Sequence, residues 1–241
     1  MRVDKDLIIV EPWPVLYVES ERTLIVSDLH LGIEEQYERE GIHVPGTFLN
    51  EIIFSVKESA KDAGAEKIVI LGDVKHEFGK PQETEWYGVK KLIKELSSYG
   101  KLAVVRGNHD NYIINILRDY GVPLYLNLKV GNYFLTHGHI FYTKNETGKK
   151  VIIGHEHPTV SIKDDLGVRH RFKAFLKTNI ESRDIVVLPS ASRITLGTDI
   201  NVVSPFDLLS PFLNGKELAD SIPYVIEPGI EVKRFPKVSL L

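Results

Sequence analysis

The 241-residue chain has no cysteine. That excludes a disulfide framework, a thiolate metal site and a cysteine nucleophile. Methionine occurs once and glutamine only at positions 36 and 82, against many Lys, Glu, Ile and Val, a composition that leans towards a thermophile. Positive charge is not in excess: 30 Lys and Arg stand against 33 Asp and Glu, a net charge of −3. A chain basic throughout, as nucleic-acid binders often are, is excluded; a local basic patch is not. No run approaches the ~18 apolar residues of a membrane span. The opening "MRVDKDLIIVEPWP" breaks its short apolar run with charges and prolines, unlike a secretory leader. Internal repeats, low-complexity tracts and long linkers are also missing. A cytoplasmic protein with no membrane partner is expected, folded as one domain over 1–241. A chain this long buries about 70% of its unfolded surface and needs no covalent staples.

What is present is a set of short β-branched runs. "LIIV" (7–10), "VLYV" (15–18), "TLIVSD" (23–28), "KIVILGD" (67–73), "KLAVVRG" (101–107), "YFLTH" (133–137), "VIIGH" (151–155), "TVSI" (159–162) and "DIVVLPS" (184–190) read as strands. Apolar residues at helical spacing mark helices between Thr47 and Ala63, from Trp86 to Leu96, and from Asn111 to Tyr120, stopped by Gly64, Gly100 and Gly121. "TKNETGKK" (143–150) reads as a solvated turn. The first half alternates β and α and the second is mostly β, so an α/β fold with a mixed sheet system and outer helices is expected. Residues 204–241 are expected to form a C-terminal cap or a sheet-edge extension.

The informative residues sit where the strands end. In open α/β sheets, ligands lie beyond the carboxyl ends of the strands. Here five such ends carry metal-competent side chains. "SDLHLG" supplies Asp28 and His30, and "LGDVKHEF" supplies Asp73 and His76. "VRGNHDN" supplies Arg106, Asn108, His109 and Asp110. "LTHGH" supplies His137 and His139, and "IIGHEHP" supplies His155 and His157. Seven of the nine histidines fall in these segments; only His43 and His170 lie outside, and both read as surface residues. Clustered ligand types of this kind mark a site. Carboxylate, imidazole and amide donors suit Mn, Fe, Zn, Co or Ni, and are too nitrogen-rich for a pure Mg or Ca cage. There are too many donors for one tetrahedral ion. Two ions about 3.5–4 Å apart, sharing one carboxylate, would use them all.

The ordered set D-x-H, G-D, G-N-H-D, H and G-H-x-H, spanning residues 28 to 157, resembles the calcineurin-like metallophosphoesterases. "VLPSAS" (187–192) and "GTDIN" (197–201) are similar to a branch related to ligase-associated phosphoesterases of bacteria and archaea. The resemblance implies a four-layer α/β/β/α sandwich of two mixed sheets. It implies a dinuclear centre, manganese first among the candidate metals. Asp28, His30 and His157 would hold one ion, Asn108, His137 and His155 the other, and Asp73 would bridge them. An extended turn at 155–157 would put both histidines on one side. The resemblance further implies in-line attack on phosphorus by a metal-bridging hydroxide. His109 would protonate the leaving oxygen, Asp110 would orient His109, Arg106 would bind a phosphate oxygen, and His76 would place the scissile phosphate as in nuclease members.

The expected activity is hydrolysis of a nucleotide or nucleic-acid phosphodiester. Its alternatives are a DNA or RNA nuclease working in a repair complex and a non-catalytic metal-binding scaffold. Lys144, Lys149, Lys150, Arg169, Arg171 and Lys173 would track a nucleic-acid backbone if they formed one stripe. No aromatic-rich stacking platform is evident. His139 and Glu156 read as support for the donors, and Asp164 and Asp165 as a turn. The oligomeric state is not legible; a homodimer is compatible with the chain.

Overall fold

A computed structural model describes residues 1–44, 48–79, 83–195 and 197–241. In chain order the elements are β1 (Arg2–Asp4), β2 (Leu7–Ile9), β3 (Val15–Val18), β4 (Thr23–Val26), α1 (Ile33–Arg39), α2 (Leu49–Ala63), β5 (Lys67–Leu71), α3 (Glu83–Ser97), β6 (Lys101–Val105), α4 (Ile114–Asp119), β7 (Leu124–Tyr125), β8 (Asn127–Val130) and β9 (Tyr133–Thr136). There follow α5 (Lys144–Thr147), β10 (Lys150–Ile153), β11 (Pro158–Lys163), β12 (Arg169–Ile180), β13 (Arg183–Val187), β14 (Thr198–Asp199), β15 (Ile222–Glu227) and β16 (Glu231–Arg234).

The strands form two mixed sheets. The first runs β1 to β7 in sequence order, antiparallel as far as β4 and parallel from β4 to β7. The second has the order β14-β11-β12-β13-β10-β9-β8, with β9, β10 and β13 mutually parallel. Residues alternate between the faces of a strand, and here both faces are buried. Val15, Tyr17, Leu24, Val26, Ile68 and Ile70 pack under Val56, Val89, Leu92 and Ile93 of α2 and α3. Leu16, Val18, Ile25, Val69 and Leu71 face inwards and meet Leu135, Ile152, Phe175, Val186 and Leu188 of the second sheet. The other face of that sheet, with Val151, Ile153, Leu176 and Val187, packs against Ile200, Leu208, Phe212, Leu213 and Leu218. This is the two-sheet α/β sandwich that was expected. Its outer layer on the second sheet is largely an irregular segment with a 3₁₀ turn at Pro205–Asp207.

Several expectations are refined. The helix from Asn111 is shorter, Ile114–Asp119, because Tyr112 has φ +67°. The start at Thr47 lies outside the described residues. The turn at 143–150 contains one helical turn, capped reciprocally by Thr143 and Glu146. The C-terminal stretch supplies β15, which pairs with β12, and β16 on its outer edge. Among the described residues no helix is long and apolar enough to cross a membrane.

Candidate metal centre

Strands β4, β5, β6, β9 and β10 all end at one place, and their turns are tightly wound. Asp28, His30, Asp73, His155 and His157 have φ between +45° and +65°, a left-handed conformation that costs a non-glycine residue roughly 1–3 kcal/mol. The loops bond to one another and so hold it. Asp28 N–H donates to Gly72 O at 3.1 Å, His30 N–H to Asp73 O at 2.9 Å, and Gly154 N–H to His137 O at 2.9 Å. Ser190 Oγ donates to Asp28 O at 2.7 Å, a support by "VLPSAS" that its composition alone did not disclose. The turn at 155–157 is left-handed at both histidines, not the extended one that would put them on one side by strand alternation. Two glycines permit the close approach. A Cβ on Gly107 would overlap the Asp73 carboxylate, and one on Gly154 would overlap Ser27 Oγ and the Asp28 carboxylate.

Among the described residues three groups of side chains could hold an ion: His30 with His76 and His109, and two groups that include a carboxylate. In one of the latter two, His157 Nε2 lies 2.9 Å from Asp28 Oδ1 and 3.4 Å from His30 Nε2. In the other, His137 Nε2 lies 3.2 Å from Asp73 Oδ2 and 3.1 Å from Asn108 Oδ1, with His155 close enough to share an ion with Asp73 and His137. His137 Nδ1–H donates to Leu71 O at 3.0 Å, which turns its Nε2 lone pair into the site. Asp73 faces both groups, since its Oδ2 is also 3.8 Å from His30 Nε2. The histidines two apart in "GHEHP" thus divide between the groups.

The electrostatics fit divalent cations. Asp28 and Asp73 are buried, and both form ion pairs only with histidines among the described residues. Burial pushes the two carboxyls up, but His157 and His137 beside Asp28, and His137 and His30 beside Asp73, outweigh it and hold both below the usual carboxylate range. Burial, helped by His157, pushes His30 down to about 3; burial, helped by His137, pushes His155 down to about 4. His137 is raised, to about 9, because Asp73 and Asp28 outweigh its burial, and a cation bound there would displace its proton. Ionised carboxylates and neutral imidazoles are the forms that ligate metals. Buried anions without Lys or Arg partners are costly unless a cation joins them.

His109 N–H donates to Asp73 Oδ1 at 2.9 Å, and its Nδ1 bonds His76 O, while Nε2 lies 3.9 Å from Asp73 Oδ2. Asp110 does not orient that ring, contrary to expectation. Its carboxylate accepts the Val74 and Gly107 N–H groups, both at 2.8 Å, and so ties the β5 and β6 loops together. Burial, reinforced by Asp73, pushes Asp110 up to about 6. His76 has its Nδ1 3.3 Å from His30 Nδ1 and its Nε2 on Gln36, and Glu85 Oε1 accepts its N–H at 2.9 Å. Arg106 is exposed and donates to Asn111 Oδ1 at 2.9 Å. His139 is half-buried beside His137, with a buried Nδ1 that has no hydrogen-bond partner.

Glu156 is buried and accepts Ser210 N–H at 2.8 Å, while Ser210 Oγ donates to Gly138 O at 2.8 Å. The C-terminal segment is thereby fastened to two donor loops. His43 is exposed, and exposed His170 pairs with Asp164, which caps its own turn. The basic residues form no stripe. Lys144, Lys149 and Lys150 lie at the far end of β10, where Lys150 pairs with Asp4. Arg171 pairs with Asp199, and Lys173 is folded onto Ser190 O and Thr195 O. A further side chain, Phe78, had no signal beyond its place in "GDVKHEF". It is 56% exposed, and its ring centroid lies 3.7 Å from that of His109.

Carboxylate and imidazole donors collected at strand ends, between two sheets, form groups that could hold metal ions. The model of the calcineurin-like phosphoesterases matches residues 21–215, and the chain belongs to that family. No curated protein matches it. Among solved structures, nuclease MPE of Pseudomonas putida is similar at 19% identity, with a TM-score of 0.64 over 92% of each chain. The phosphoesterase YfcE of E. coli is similar at 21% identity, with a TM-score of 0.40 over 72% of this chain and 83% of that one.

Proposed function

We propose that this protein is a divalent-metal-dependent phosphodiesterase acting on a nucleotide or nucleic-acid diester. The observation that carries the reading is the meeting of two buried carboxylates with imidazoles from both sheets, beside His109. Asp28, His30 and His157 would hold one cation, Asn108, His137 and His155 a second, and Asp73 would contact both. Divalent cations held there supply Lewis acidity that activates water near neutral pH and neutralises phosphoryl charge. Manganese is the first metal to test.

The chain's own residues do the rest. His109 is fixed by its N–H on Asp73 and its Nδ1 on the His76 carbonyl. When protonated it presents Nε2–H to the leaving oxygen and transfers that proton as the P–O bond breaks. Arg106, steadied by Asn111, offers a guanidinium to a non-bridging oxygen. Phosphoesters of nucleic acids are the first natural substrates to try, since a protein of the same fold is described as a nuclease.

The test uses metal-stripped protein given Mn, Ni, Fe, Zn or Mg singly, with a bis-p-nitrophenyl diester, a p-nitrophenyl monoester and an oligonucleotide. Metal-dependent diester cleavage is expected. His109→Ala should lower turnover on the oligonucleotide about 100- to 10,000-fold, the range for a general acid, with metal content unchanged. Cleavage confined to the monoester would make the protein a phosphatase. No cleavage by metal-loaded protein would overturn the reading in favour of a scaffold.

A further inference from the structure

Three rings lie in series at the edge of the site. His76 stacks on His109 with centroids 5.5 Å apart and planes 23° apart, and His109 meets Phe78 at 3.7 Å and 31°. The two inner rings are held by hydrogen bonds: His76 by Gln36 and His109 by the His76 carbonyl. Phe78 closes the series with more than half its surface in water. An exposed phenylalanine is unremarkable alone. This one lies against the residue assigned to the leaving oxygen, and its backbone is tied to the site as well. Asn111 Nδ2 donates to Phe78 O at 3.0 Å, and the same side chain accepts from Arg106. A phosphate oxygen on Arg106 and a planar group on Phe78 would therefore be placed by one linked unit.

We propose that Phe78 is a specificity-determining residue, whose outer face stacks the nucleobase on the leaving-group side of the scissile phosphate. The inference rests on the diesterase reading, because His109 defines the leaving side. The physical reason is that every base has a π-face, so aromatic stacking holds a nucleotide without reading its sequence. The ring's inner face already packs on His109, so a stacked base would also exclude water from the proton-transfer path.

The test compares two dinucleotides identical at phosphorus: dithymidine phosphate, and its analogue with an abasic sugar on the leaving side. The wild type should favour the base-bearing compound in kcat/KM by about 5- to 150-fold, the range for one base on one aromatic side chain. Phe78→Leu should erase that preference and Phe78→Trp should retain it. Equal losses on both compounds would mean that Phe78 only packs His109, and would overturn the proposal. Cleavage of the bis-p-nitrophenyl diester without preference between the dinucleotides would overturn it too, while leaving the diesterase reading intact. A readout independent of turnover is the fluorescence of a dinucleotide with 2-aminopurine on the leaving side. Quenching on binding that disappears in Phe78→Leu supports stacking, and quenching unchanged by the substitution contradicts it.

Discussion

In the first sheet β4, β5 and β6 contribute Asp28, His30, Asp73, Asn108 and His109, and α2, α3 and α4 pack on the sheet's outer face. In the second sheet β9 and β10 contribute His137, His155 and His157, and the face behind them is covered by the segment around Leu208, Phe212 and Leu218. The donor loops of the first sheet run on into helices that follow in sequence, with Gly72 O and Ser190 Oγ as distant partners of Asp28. Those of the second are held by Ser210, which reaches Gly138 and Glu156 from more than fifty residues away. Equal geometry at a site does not require equal support beneath it. Both halves use long-range polar bonds, but the first has a layer of helices behind it and the second an irregular segment fastened by Ser210.

The substitution expected to do most damage removes the group common to both halves. Asp73→Asn should lower metal affinity by more than about 100-fold, the upper value for losing a mere outer partner of a ligand. Isothermal titration with Mn would show it; unaltered uptake of two ions would mean that Asp73 bridges nothing. Glu156→Ala sharpens the comparison. Ser210 N–H would be left buried and unpaired, at about 1–3 kcal/mol, and amide exchange should quicken around 137–139, 154–157 and 208–213 while α2 and α3 stay protected. Uniform loosening of both halves would refute the separation.

The smallest effect concerns Lys173, which is half-buried between carbonyls of the second half. Burial pushes its ammonium down to about 8, against the pull of Asp28. The unfolded chain then holds more protons than the folded one between pH 8 and the ordinary lysine range, so this residue makes stability rise with pH across that window. Lys173→Met should flatten the rise in urea melts taken from pH 7 to 10; an unchanged slope would show that the ammonium is not strained.

The candidate donors could be picked out in the sequence because chemistry restricts the residue types that ligate metals. Imidazole, carboxylate and amide had to fall just after β-branched runs, and "SDLH", "LGD" and "GNHD" did so. The helices of the first half were legible for a related reason: their apolar faces repeat at 3.6 residues. Much of the second half was not. Strand β12, the longest described, was not legible as a strand, because Arg169, Arg171 and Lys173 alternate with His170 and Phe172 and leave its first half without an apolar run. The role of Ser210 could not be seen, since a serine fifty residues from a glutamate has no local signature. Asp110 was misassigned because adjacency in sequence to His109 does not place its carboxylate near that ring. It points instead to the backbone of the neighbouring loops.

Anomalous diffraction from Mn-loaded crystals, collected on both sides of the manganese edge, tests the central claim most directly. The expected result is two peaks about 3.5–4 Å apart, one among Asp28, His30 and His157, the other among Asn108, His137 and His155, with Asp73 between them. A single peak, or one seated instead among His30, His76 and His109, would contradict the division of donors between the two sheets.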